Sequence, residues 1–117
     1  MATAPLRDSH IDPLDGWSLP AWTYSDPDFH AAEMERIFRP SWQVVCHDSD
    51  IPGAGDWHSI DYCGESVIVV RGPDRTVRAF TNVCRHRGSR LVDGAVGCAK
   101  KLVCPYHAWT YELDGRL

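Results

Sequence analysis

The apolar positions of this chain change period at Trp42. Before it, Phe29, Met34, Ile37 and Phe38 recur at roughly helical spacing. Ser25-Asp26-Pro27-Asp28 supplies a helix start, with capping side chains, an early proline and an acid at the positive end, and Arg39-Pro40 supplies the stop. The spacing thus predicts a structural helix over 26–39 whose apolar face covers a sheet. After Trp42 the period becomes two, as in half-buried strands. Gln43–Cys46 reads as a strand and Ile51–Gly55 as a turn. Asp56–Tyr62 and Glu65–Arg71 read as a hairpin across Cys63-Gly64, and Gly72-Pro73-Asp74 turns into Thr76–Asn82. A connecting stretch from Leu91 to Lys101 leads to a short strand Leu102-Val103, then a final strand Trp109–Leu113 and a hairpin turn at Asp114-Gly115. Short strands at turn-punctuated intervals predict a mainly β fold, a small antiparallel sandwich or barrel. The organisation expected is an N-terminal arm at 1–24, a helical lead-in at 25–41 and the β domain at 42–117. Because the chain stops just after a hairpin turn, that domain is expected to be truncated at its C-terminal end.

Composition narrows the class. The 117 residues are 44% hydrophobic and 24% charged, as in a folded globular domain with a modest core. The net charge of −4 gives no reason to expect nucleic-acid binding. The longest aliphatic run, Val67–Val70, is far too short to span a membrane, and the first residues lack an apolar stretch of signal-peptide length. A cytoplasmic location is expected.

The decisive chemistry lies in two mixed half-sites, Cys84-Arg-His86 and, after seventeen intervening residues, Cys104-Pro-Tyr-His107. Each offers one thiolate and one imidazole on a short loop. A zinc knuckle more often brings paired cysteines in one half and paired histidines in the other. Mixed halves let two irons be served separately, by two thiolates and by two imidazoles, which is the Rieske [2Fe–2S] arrangement. The candidate ligands are therefore Cys84, His86, Cys104 and His107. A structural zinc module on the same four residues is the competing reading; aerobically purified protein would then be colourless.

The surrounding residues, Cys84-Arg-His-Arg-Gly88 and Cys104-Pro-Tyr-His-Ala-Trp-Thr-Tyr111, resemble the N-terminal part of Rieske non-haem iron oxygenase α subunits. The pattern Glu33…Ile37-Phe38…Trp42 resembles the segment that precedes the Rieske domain in those subunits and that free-standing Rieske ferredoxins usually lack. The resemblance implies a Rieske-type fold with two cluster-binding loops. It implies electrons passing from NAD(P)H through a flavin reductase or ferredoxin to this cluster. From there they reach a mononuclear non-haem Fe(II), held by two histidines and a carboxylate in a catalytic domain outside these residues. That iron activates O₂ for aromatic-ring hydroxylation or oxidative demethylation. The family further implies a homotrimer, with or without a β subunit. On this reading the present residues carry electrons and hold no catalytic residue of their own. A free-standing Rieske ferredoxin is the alternative. The second half-site looks somewhat closer to members that oxidise quaternary ammonium compounds than to aromatic dioxygenases.

High-potential relatives of this motif add a cysteine to each loop and join the two by a disulfide; here Ser89 and Tyr106 stand at those positions. Trp109 stands where such proteins place a hydroxyl donor, and Tyr111 remains at the place of their phenolic donor. Fewer hydrogen bonds to sulfur predict a potential near the lower end of the Rieske range, roughly −150 mV. Gly88 is expected to let backbone amides approach the cluster. Arg85, Arg87 and Arg90 form a basic group beside the first half-site, either simply solvated or a docking surface for an acidic redox partner. Cys46 and Cys63 are expected to be buried thiols in strands, and Cys98 to sit in an ordinary loop. His10, His30, His47 and His58 are expected at the surface or as caps.

Overall fold

A computed structural model describes residues 18–117. His10 and most of the expected arm lie outside the described residues. The chain divides into two compact units, one ending at Trp42 and one beginning at Gln43.

In the first unit a single 3-10 turn, Ala21–Tyr24, precedes helix α1, Pro27–Glu33. Asp26 caps α1, its carboxylate accepting from the amides of Asp28 at 2.9 Å and Phe29 at 3.0 Å. These are donors that a helix start otherwise leaves unmet. Phe29 meets Trp22 edge-to-face at 5.1 Å between ring centroids. The helix does not stay α-helical to Arg39 as the spacing predicts. It widens into a π turn over Met34–Phe38, in which the Arg39 amide reaches back to the Met34 carbonyl at 3.0 Å. Pro40 has no amide to continue the ladder, and the Ser41 hydroxyl donates to the Ile37 carbonyl instead. No residue of α1 or the π turn is buried.

The second unit holds six strands: β1 Asp56–Tyr62, β2 Glu65–Arg71, β3 Val77–Thr81, β4 Val96–Cys98, β5 Leu102–Val103 and β6 Thr110–Tyr111. The first four form an antiparallel sheet in the order β3-β2-β1-β4, and β5 with β6 makes a separate ribbon. The β1–β2 hairpin closes as its alternation predicts. Cys63 and Gly64 both take positive φ, 52° and 80°, the combination a two-residue type I′ turn requires. Cys63 is therefore a half-buried turn residue and not a buried strand thiol. Along β2 the aliphatic run splits between two faces. Ile68 and Val70 are fully buried, with Trp57 from β1 in the same core. Cys84, Leu102, Cys104, Tyr111 and Leu113 complete that core, so both candidate thiols are core residues.

Three expectations need correction. Residues 43–46 form no ladder among the described residues, Val44 is exposed and Cys46 is only half-buried; alternation without a neighbouring strand to pair with does not make a sheet. In its place a 3-10 turn, Asp48–Asp50, is capped by the His47 imidazole and held by buried Arg71, which donates to the Ile51 carbonyl at 2.5 Å and pairs with Asp48. The Leu91–Lys101 connection contains strand β4, and Cys98 is an exposed residue of it. β4 is three residues long and centred on glycine, which hides it from any periodicity argument. Gly97 is nonetheless required: it lies opposite Trp57, and a methyl group there would come within 2.4 Å of the indole. Finally, His58 is not a plain surface residue, because its Nδ1 is buried with no hydrogen-bond partner among the described residues.

Candidate metal centre

Two loops carry the half-sites, and they are built alike. In the first, the Cys84 amide donates to the Ser89 carbonyl at 2.7 Å and the Gly88 amide to the Cys84 carbonyl at 2.9 Å. In the second, the Cys104 amide donates to Trp109 at 2.8 Å and the Ala108 amide to Cys104 at 2.9 Å. The fourth residue after each cysteine is left-handed, Gly88 at φ 70° and Ala108 at φ 58°. Gly88 thus takes a backbone angle that favours glycine, and an added Cβ would meet no protein atom within 4 Å. Ala108 holds the same shape against its own Cβ.

The loops are fixed to the scaffold differently. The second is the tip of the β5–β6 ribbon, with Leu102 opposite Tyr111 and Val103 opposite Thr110. The first leaves β3 through Asn82, which is 2% exposed and has both side-chain polar atoms engaged. Its side-chain oxygen accepts the amides of Leu91 at 3.0 Å and Val92 at 3.1 Å. Its side-chain nitrogen donates to the Val92 carbonyl at 2.8 Å and the Ser66 hydroxyl at 3.2 Å. Asn82 was invisible in sequence: it reads as the last residue of the strand Thr76–Asn82.

The loops bring the four predicted residues together. Cys84 and Cys104 are buried at 2% and 3% exposure, and the Cys104 thiol helps hold Cys84 below the usual thiol range. The largest cause of that lowering is Tyr111, whose hydroxyl lies 3.4 Å from Cys84 Sγ; the amides of His86 and Arg87 add to it, while burial opposes it. The same contact pushes the Tyr111 phenol up, as expected of a hydroxyl donating to sulfur. His86 and His107 stand at the surface with ring centroids 4.9 Å apart. Trp109 stacks on His86, and Tyr106 lies against His107. None of the five cysteines is in a disulfide.

This donor set fits a binuclear iron–sulfur group. It offers two sulfurs buried in the core, two imidazoles side by side at the surface, and a phenol beside one sulfur. Among the described residues no three His, Cys, Asp or Glu side chains close around one metal ion. Of the three arginines, Arg90 is paired with Asp61 at 2.7 Å; Arg85 and Arg87 are exposed.

The chain is 52% identical, over 97% of its length, to the glycine betaine monooxygenase oxygenase subunit of Chromohalobacter salexigens. It covers 26% of that protein, so it spans about a quarter of the relative it matches. Among solved structures it superposes on a quaternary ammonium Rieske monooxygenase, described for carnitine oxidation and inter-subunit electron transfer, with a TM-score of 0.74 and 39% identity. That match covers 79% of this chain and 25% of the other. Naphthalene 1,2-dioxygenase with indole in its active site gives a TM-score of 0.72 and 41% identity, over 78% of this chain and 20% of the other. The family model for the Rieske [2Fe-2S] domain matches residues 41–117, and the chain belongs to that family.

Proposed function

We propose that this chain is the electron-receiving part of an oxygenase that acts on a quaternary ammonium compound, with Cys84, His86, Cys104 and His107 holding the cluster. The observation that carries the reading is the pairing of two buried thiols with two surface imidazoles on two like loops. Bound there, a [2Fe–2S] group takes up and passes on one electron at a time. Cys84 and Cys104 hold it from the core side, where water is excluded and sulfur ligation is protected. His86 and His107 face outward and give the shortest route to a partner. The Tyr111 hydroxyl steadies sulfur charge, which grows when an electron arrives.

In the whole protein, electrons from NAD(P)H would come through a ferredoxin or flavin reductase and leave for a mononuclear iron across a subunit boundary, in a trimer located in the cytosol. The lead-in at 25–41 and the β domain at 42–117 would then be the parts of the longer subunit present here. Similarity to glycine betaine and carnitine oxygenases supports a trimethylammonium substrate. Aromatic substrates are the second reading, favoured by the likeness to naphthalene dioxygenase.

Anaerobic reconstitution tests the ligand set. Two irons and two acid-labile sulfides per chain, lost in Cys84→Ser and His107→Ala, are expected; colourless protein carrying zinc instead overturns it. For the substrate, the full-length subunit with its reductase should release formaldehyde from glycine betaine or oxidise carnitine, and oxidation of naphthalene alone would favour the aromatic reading.

A further inference from the structure

His86 and Trp109 come from different loops, yet their rings lie 4.8 Å apart with only 5° between planes. The backbone aims the indole. The Trp109 carbonyl accepts the Cys104 amide, Ala108 before it is left-handed, and Thr110 after it is paired with Val103 in the ribbon. The support given to the two histidines is unequal. His107 is met by its own neighbour Tyr106, tilted by 33°, while the residue matching Trp109 in the first loop is Ser89, which has no ring to offer.

We propose that Trp109 is a positioning residue that fixes the ring plane of His86 from across the site and so locks the two half-sites into one binding unit. The inference rests on the ligand set above. An imidazole at the surface can turn about its Cβ–Cγ bond, and a ligand that must be oriented on binding holds metal less well. A flat indole lying parallel to the ring removes that freedom. It occupies the place of a hydroxyl donor, so this loop has a ring clamp where high-potential relatives have a hydrogen bond to sulfur.

The test is made on the full chain loaded with iron and sulfide. Two readings are taken: the EPR g-values of the reduced cluster, and the rate at which the oxidised colour bleaches in chelator. Trp109→Leu should shift the g-values and bleach about tenfold faster, the usual effect of losing a residue that orients a ligand. Trp109→Phe, which keeps a stacking ring, should stay close to wild type in both. Trp109→Met serves the same purpose should the leucine variant not fold. Wild-type g-values and bleaching in the leucine or methionine variant overturn the proposal, as does a phenylalanine variant no better than leucine. Wild-type protein that takes up neither iron nor sulfide instead removes the ligand set itself.

Discussion

The hydroxyl oxygen of Tyr111 accepts the Arg85 amide at 3.0 Å and lies 3.4 Å from Cys84 Sγ. One side chain from β6 thereby fixes both the backbone and the sulfur of the first loop. Tyr111→Phe should keep the fold, since the ring stays in the core, but remove the donor to sulfur. The reduced cluster loses more than the oxidised one, so the potential should fall by up to about 60 mV, a tenfold change for one electron. An unchanged midpoint in a redox titration would show that the phenol supports the loop alone.

Asn82 is the buried polar staple of the same loop. Asn82→Ala strands the part-buried Leu91 and Val92 amides without their acceptor. A loss of about 2–3 kcal/mol in denaturant unfolding is expected. A loss below roughly 0.5 kcal/mol would mean that those amides find other partners.

The two left-handed positions should respond in opposite directions. Gly88→Ala meets no protein atom but places a Cβ at φ 70°, and should cost about 1 kcal/mol. Ala108→Gly relieves that same conflict at φ 58°, and should gain on the order of 0.5 kcal/mol after the added freedom of the unfolded chain is subtracted. Thermal unfolding of both variants, run side by side, decides it; destabilisation by Ala108→Gly would contradict the argument.

Arg85 and Arg87 remain as the exposed positive rim once Arg90 is paired with Asp61. Arg87→Glu should slow reduction by an acidic partner protein roughly tenfold at low salt and flatten the salt dependence. Stopped-flow rates that match wild type would leave the arginines a solvated patch.

Acid should weaken the fold in part through Asp74, whose carboxyl is held well below the usual range by Arg78, with help from the Thr76 amide. The sign follows from proton binding. Above about pH 5 the carboxyl is ionised folded and unfolded, and its contribution is complete. As pH falls below that, the unfolded chain takes the proton first and stability drops. Asp74→Asn lacks this loss, so its stability should fall less steeply between about pH 4 and pH 2. Parallel curves in urea titrations across that window would exclude Asp74.

Much of this was readable along the chain. The β1–β2 hairpin and β5 were found because period-two alternation and turn residues are local signals. The two mixed half-sites were found because ligand chemistry is written in residue type and spacing. That is enough to name a domain and its cofactor. Tertiary structure decided what neighbours do to each other. Residues 43–46 alternate like a strand but gain no partner, whereas Val96–Cys98, too short to alternate, is recruited because Gly97 admits the Trp57 indole. Asn82 became a staple because folding brought Leu91 and Val92 to it, and Arg90 left the basic rim because Asp61 lies within reach. Trp109 reaches His86 only after the ribbon and the first loop have packed on one core. Residue type specifies which groups can bind iron; the energy of burial and pairing between distant segments determines how firmly they are aimed.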